Sequence, residues 1–156
     1  NGERTPHLDN NARGTFAGLA VMHGKKHMIR AVMEGVTYSL RDCVEVLKQM
    51  NVPLTDMAAC GGGSKSPLWR QMLADVFDLK VKTLTSNQGA ALGAAILAMV
   101  GTGEYKTVQD ACDVIIKEKD IRRPVQTNSE KYNRVYRVFT QLYPALKDSF
   151  KALTDL

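Results

Sequence analysis

The chain is short of the features that would place it at once in the better-marked protein classes. Its cysteines number three, Cys43, Cys60 and Cys112, widely spaced and without a CxxC pair. An odd, scattered set fits neither a disulfide framework nor a zinc site, so reduced thiols in a cytoplasmic protein are expected. The longest apolar run, from Ala90 to Val100, is interrupted by Gly93. It falls well short of the roughly 20 residues that a membrane-spanning helix requires, and no membrane partner is expected. There is no HExxH pattern: His23 and His27 stand four apart, but without a third ligand or the companion glutamate, and no metal site is assigned. Aromatic residues make up only 6% of the chain and do not interleave with its basic residues. The net charge of +5, concentrated at Lys117, Lys119, Arg122 and Arg123 and again at Lys131, Arg134 and Arg137, is broken up by Glu118, Asp120 and Glu130. It therefore reads as a solvated or ligand-attracting face, and no nucleic-acid partner is expected.

What remains is ordinary globular composition. With 156 residues, 44% of them hydrophobic, the chain can build one domain with a core. It opens Asn1-Gly2-Glu3-Arg4, with neither an initiating methionine nor a signal-like stretch, and a piece of a longer chain is expected.

The most informative segment is Met57-Ala58-Ala59-Cys60-Gly61-Gly62-Gly63-Ser64-Lys65-Ser66-Pro67-Leu68-Trp69. An apolar run, three glycines, a capping serine and a proline in that order predict strand, turn and helix. Consecutive glycines let the backbone turn sharply and leave its N–H groups open to a bulky ligand. Ser66 as N-cap and Pro67 at the first helical position would aim the positive end of the helix back at the turn, where a nucleotide phosphate is the natural guest. Two sharper motifs are absent. Ser64 separates Gly63 from Lys65, so this is not a P-loop, and a dinucleotide fingerprint lacks its third glycine. The plainer alternative, a tight strand-to-helix connection and nothing more, has to be decided by the surrounding chain.

Around that segment, residues 1–12 predict an extended loop and Gly14 to Leu19 a short strand. Apolar residues at 28, 32, 33, 36, 40, 44 and 47 predict a long amphipathic helix from Met28 to Met50, carrying an Arg30/Glu34 pair one turn apart. Leu68, Met72, Leu73, Val76 and Phe77 give the helix after the glycines a core stripe, with Trp69 either in the core or flanking an adenine. Leu79 to Leu84 alternates as a strand. A helix from about Asn87 follows, its Gly89, Gly93 and alanines suiting a buried element. Val108 to Ile116 predicts a shorter helix, and Ser129 to Leu153 a closing one bent or broken at Pro144. Strands alternating with helices suggest a layered α/β domain with few strands for its helices.

Gly14-x-Phe16-x-Gly18-Leu19, followed by His27-Met28-x-x-Ala31-Val32-Met33-Glu34, resembles the carboxy-terminal signature of the FGGY carbohydrate kinases. The phrases Gly2 to Asp9, Arg30 to Gly35, Gly61 to Gln71 and Ala91 to Ala95 extend the resemblance over nearly the whole chain, thinning after Gly103. It implies an actin-like ATPase, ribonuclease-H-like, in two lobes, of which residues 1–156 would be most of the second: helices packed on a small mixed sheet, a partial α/β fold. It implies transfer of the ATP γ-phosphate to a sugar hydroxyl, with Gly61, Gly62, Gly63 and Ser64 binding the nucleotide and Lys65 and Ser66 as weaker candidates. Mg2+ would be held mainly by the nucleotide and the other lobe. The implied partners are ATP, a small sugar, the amino-terminal lobe of the same parent chain and a second copy in a homodimer.

No catalytic residue is assigned, because the family's base belongs to the first lobe, and the isolated chain is expected to lack kinase activity and to bind ATP weakly at best. Two positions depart from the family pattern: Ser64 stands where alanine is common, and Gln88 where an acid often stands. Among sugars, xylulose is the first expectation, with gluconate, ribulose or glycerol as alternatives. A non-catalytic actin-like nucleotide-binding module is the rival outside the kinases, and a basic nucleic-acid binder would reveal itself by steep salt dependence.

Overall fold

The computed structural model describes residues 2–86 and 89–155. In chain order they form α1 (Lys25–Gln49), β1 (Asp56–Ala58), a 3₁₀ turn (Gly63–Lys65), α2 (Pro67–Phe77), β2 (Lys80–Leu84), α3 (Gly89–Gly101), α4 (Val108–Ile115), β3 (Glu118–Arg122) and α5 (Gln126–Thr154). The chain divides into two compact units, one of residues 1–54, 75–78 and 124–156, the other of 55–74 and 79–123.

The first unit is built on α1 and α5. Tyr38 on α1, 4% exposed, packs its ring against Phe139, Tyr136 and Tyr132 of α5 at centroid distances of 5.2, 6.0 and 6.2 Å. Arg41 lies over the Tyr136 ring at 4.2 Å, a cation–π contact, and Tyr136 donates its hydroxyl proton to Asp42. The Arg30/Glu34 pair forms at 2.7 Å, and Tyr132 completes it by donating to the same carboxylate oxygen at 3.2 Å. The face of α1 that meets α5 thus carries Arg30, Glu34, Tyr38 and Arg41, whereas Val32, Val36 and Leu40 of the expected apolar stripe are exposed in this chain. Polar side chains with long stems and aromatic bodies fill the helix seam here, so hydrophobicity alone mislocates it.

Helix α5 has no capping side chain of its own at Val125. Asp75 serves instead, accepting from the Val125 amide at 2.8 Å and from Asn128 Nδ2 at 3.0 Å, and its carboxylate sits favourably at the positive end of the helix. Of the bend or break expected at Pro144, the break is not there: α5 continues from Gln126 to Thr154 with Pro144 inside it. The loop before α1 is pinned to α5 by Tyr143, which stacks on His7 at 3.8 Å and donates to Asp9 at 2.8 Å. Residues 14–19, expected as a strand, form none; Phe16 and Leu19 are exposed, with no neighbouring strand there to pair them.

The second unit holds a three-stranded sheet in the order β1-β2-β3, with β1 parallel and β3 antiparallel to β2. Val81 and Thr83, on one face of β2, are buried, as are Met72 and Ala74 of α2. The opposite face is an ion-pair lattice: Asp56 meets Lys80 at 3.0 Å and Lys82 at 3.2 Å, and Lys82 reaches Glu118 at 2.9 Å. The expected strands are thereby found at β1 and β2, while β3 arises from a stretch too polar to announce itself. The start of the expected helix at Asn87, and Gln88, lie outside the described residues; from Gly89 onward α3 is present but largely exposed in this chain, only Ile96 being buried. It was expected to be buried, and its Ala90, Ala91, Ala94, Ala95 and Ala98 are exposed among the described residues.

Candidate functional site

The glycine turn follows the carboxyl end of β1, on the side of the sheet where open α/β folds receive ligands. The strand ends as the Ala59 amide donates to the Lys82 carbonyl at 2.8 Å. Gly61 then takes φ +76°, left-handed backbone that only glycine adopts readily. Gly62 is different: at φ −62° and ψ −42° it is ordinary right-handed helical backbone. A Cβ built there would meet nothing within 4 Å, so neither its conformation nor its neighbours call for glycine. At Gly63 a Cβ would lie 2.8 Å from Trp69 Cζ3, which means that the indole packs directly on the turn.

Gly61 and Gly62 are exposed, and their amides make no backbone hydrogen bond among the described residues. The amides of Lys65 and Ser66 are committed, closing the 3₁₀ turn on the carbonyls of Gly62 and Gly63 at 3.2 and 3.1 Å. Ser64 is 6% exposed and donates its hydroxyl to the Gly61 carbonyl at 2.8 Å. Ser66 caps α2 as its sequence indicates, accepting from the Trp69 amide at 3.3 Å, with Pro67 at the first helical position. The six expected residues therefore sit together, and Gly61 and Gly62 combine exposure with amides that make no backbone hydrogen bond among the described residues; Lys65 can act through its exposed ammonium and Ser66 through the helix start it caps.

Beside the turn is a cavity of about 240 Å³ lined by Ser64, Lys65, Arg70, Thr83, Leu84, Lys119 and Asp120. The pairing of β2 with β3 shifts register between Thr83 and Leu84, which pair with Asp120 and Glu118 and leave Lys119 as the extra residue of a bulge. Bulges commonly redirect a side chain beside a site, and here Lys119 joins the cavity lining. Arg70, its side chain 14% exposed, donates to the Ser64 carbonyl at 2.6 Å and pairs with Asp120 at 2.9 Å. Burial acts to raise the Asp120 pKa, but Arg122 and Arg70 outweigh it and hold the carboxyl below its ordinary value. Lysines and an arginine beside unoccupied amides make this corner attractive to an anion.

Lys119, Arg70, Thr83 and Asp120 were not singled out as site residues from sequence. Lys119 stood in the basic cluster read as a solvated or ligand-attracting face, and Arg70 lay within the Gly61 to Gln71 phrase of the family resemblance with nothing to single it out.

His23 and His27 lie with ring centroids 5.5 Å apart. Both Nδ1 atoms accept local backbone amides, from Ala20 at 2.9 Å and Gly24 at 3.1 Å, a capping role before and at the start of α1. Among the described residues no group of three or more His, Cys, Asp or Glu side chains converges as a metal site, and no helix is long and apolar enough to cross a membrane.

Residues 1–102 match the model of the FGGY family of carbohydrate kinases, C-terminal domain. The chain is 38% identical over 146 residues to the xylulose kinase of Staphylococcus epidermidis, covering 94% of this chain and 29% of that protein. It is 34% identical over 155 residues to the gluconokinase of Bacillus subtilis, covering 99% and 30%. Among solved structures it is similar to ligand-bound xylulose kinase from Lactobacillus acidophilus, with TM-score 0.87 and 28% identity over 96% of this chain and 30% of that one. The chain thus spans about 30% of the length of the relatives it matches.

Proposed function

This chain belongs to the FGGY family of carbohydrate kinases, and on that premise we propose that residues 1–156 are the carboxy-terminal, nucleotide-binding lobe of a kinase that phosphorylates D-xylulose to xylulose 5-phosphate. Its fold is the α/β second lobe of the actin-like ATPases, in part, with a small mixed sheet carrying the helices. ATP rests on the open amides of Gly61 and Gly62, with Lys65 and Ser66 beside them and Gly63 and Ser64 shaping the turn. The observation that carries this reading is Gly62: exposed, helical in backbone and with empty space where a Cβ would be, it needs to be glycine only if something outside the chain comes close.

The chemistry asked of this lobe is positioning and charge neutralisation. The γ-phosphoryl passes from ADP oxygen to a sugar hydroxyl, and the charge that spreads over its oxygens is met by backbone N–H groups and cations already in place. The base that takes the hydroxyl proton, most sugar contacts and the acids that steady Mg2+ are contributed by the amino-terminal lobe. Mg2+, when bound, would neutralise phosphate charge. On this account the isolated chain does not turn over. A cytoplasmic setting fits the three unpaired cysteines.

Gluconate is the second reading for the sugar, because the gluconokinase of Bacillus subtilis aligns over 99% of this chain at 34% identity, close to the xylulose kinase figures. The deciding experiment is ATP-dependent ADP release by the full-length protein with D-xylulose, gluconate, ribulose and glycerol. Highest kcat/KM on D-xylulose supports the proposal; gluconate leading transfers it to the second reading. ATP binding without turnover on any sugar would replace a kinase with a non-catalytic nucleotide module.

A further inference from the structure

We propose that Arg70 is the positioning residue that fixes the glycine turn in its nucleotide-receiving shape. The inference rests on the reading of the turn given above and assigns a role to a side chain outside it. The turn has carbonyls as well as amides, and for the amides of Gly61 and Gly62 to face a ligand the carbonyls must be held elsewhere. Two are. The Ser64 hydroxyl donates to the Gly61 carbonyl at 2.8 Å, and Arg70 Nη1 donates to the Ser64 carbonyl at 2.6 Å. The guanidinium is anchored in turn: Nη2 meets Asp120 Oδ2 on β3 at 2.9 Å, and that oxygen also receives Arg122 Nε at 3.2 Å.

A planar fork that bonds a carbonyl with one nitrogen and a carboxylate with the other ties the turn to the sheet edge in a fixed orientation, which an ammonium cannot reproduce. Arg70 Nε is buried with no hydrogen-bond partner, so the side chain is held in this place at a cost in solvation that the two Nη contacts offset. With those contacts turned to the chain, Arg70 acts through the turn, and direct attraction of the phosphates falls to Lys65 and Lys119.

The test uses the full-length protein and titrates ATP into the wild type, Arg70→Lys, Asp120→Asn and Arg122→Ala. Arg70→Lys is expected to weaken ATP binding about tenfold, the scale of one hydrogen bond to a charged group. The sugar KM and kcat at saturating ATP should stay within about threefold, because the variant loses nucleotide binding and not chemistry. Amide hydrogen exchange at Lys65 and Ser66, whose N–H groups close the turn, should speed up in the same variant. Asp120→Asn, which leaves Arg70 in place but weakens its anchor, is expected to fall between, and it carries the test if Arg70→Lys does not fold. Arg122→Ala removes the other cation on Asp120 and touches no atom of the turn, so its ATP affinity should match the wild type. Unchanged ATP affinity in Arg70→Lys, or in Asp120→Asn where that variant stands in, overturns the inference while leaving the turn as the nucleotide site. Equal losses in Arg70→Lys and Arg122→Ala, with sugar KM and melting temperature moving together, would make Arg70 a structural residue only and also overturn it. Failure of the wild type to bind ATP would instead overturn the proposed function.

Discussion

Placing a methyl group on Gly63 tests how the turn is packed. An ideal Cβ there lies 2.8 Å from Cζ3, 2.9 Å from Cε3 and 3.5 Å from Cη2 of Trp69. Carbon atoms in contact settle at about 3.5–4.0 Å, so two ring atoms are too close by roughly 0.6–1.2 Å. Trp69 lies in the first turn of α2 with its backbone amide held by Ser66 Oγ at 3.3 Å, so relief of the clash has to come from turning the indole off the turn or shifting the glycine backbone. Gly63→Ala should therefore cost about 1–3 kcal/mol, the range for an overpacked site. In a protein of this size that lowers Tm by about 2–4 °C per kcal/mol. Thermal unfolding followed by circular dichroism measures it, and a double-mutant cycle with Trp69→Ala isolates the cause: without the ring, Gly63→Ala should cost under about 0.5 kcal/mol. Gly61→Ala provides the contrast. Its penalty of about 1–2 kcal/mol comes from the left-handed backbone at φ +76° and should be the same with or without Trp69. If Gly63→Ala melts like the wild type, or is equally costly in both backgrounds, the indole does not lie on the turn.

Three further outcomes follow from the same structure. Lys80, and after it Lys82, hold the Asp56 carboxyl below its ordinary value. A folded-state pKa beneath the unfolded one stabilises the protein at pH values above the unfolded pKa of about 3.9, and the contribution fades as pH drops through the folded value. Asp56→Asn should thus lower the urea midpoint at pH 7 and make little difference near pH 2; an equal deficit at both would refute the ion-pair account. Pro144 lies inside α5 and cannot donate to the Thr140 carbonyl, so Pro144→Ala should stabilise the protein by about 1–3 kcal/mol in chemical denaturation, and a loss would show that the proline relieves strain. Asp75→Ala should cost about 0.5–2 kcal/mol by uncapping α5 and speed amide exchange at Val125 and Asn128; unaltered exchange there would place the cap elsewhere.

Local chemistry made much of this fold legible. Strand, glycine turn, serine cap and helix follow one another from Asp56 to Phe77 in the order in which their residues announce them, because capping and φ preferences act within a few residues. The long helices were legible from periodicity, although the buried side of α1 was not. Its seam with α5 is filled by Tyr38, Arg41 and the Arg30, Glu34 and Tyr132 cluster, and only tertiary contact tells such side chains that they lie inward. Strand β3 was invisible because Glu-Lys-Asp-Ile-Arg has a single apolar residue; it is held by β2 and by ion pairs across the ladder. Pro144 does not break α5, since a long helix supported on either side tolerates one missing bond. At the candidate site the glycines were readable and their supports were not. Arg70 and Asp120 lie 50 residues apart and meet only because β3 returns beside β2.

On the proposed function a nucleotide phosphate approaches the backbone at Gly62, which calorimetric titration of ATP into the full-length protein and its Gly62→Ala variant tests. Alanine fits the φ −62°, ψ −42° backbone there and meets no atom within 4 Å, so the variant should fold with unchanged or slightly higher Tm. If phosphate lies against that amide, the new methyl group stands in its path, and affinity should drop at least about tenfold, or 1.4 kcal/mol. ATP binding equally tight in both proteins would contradict the account, and the three glycines would then be a tight connection between a strand and a helix.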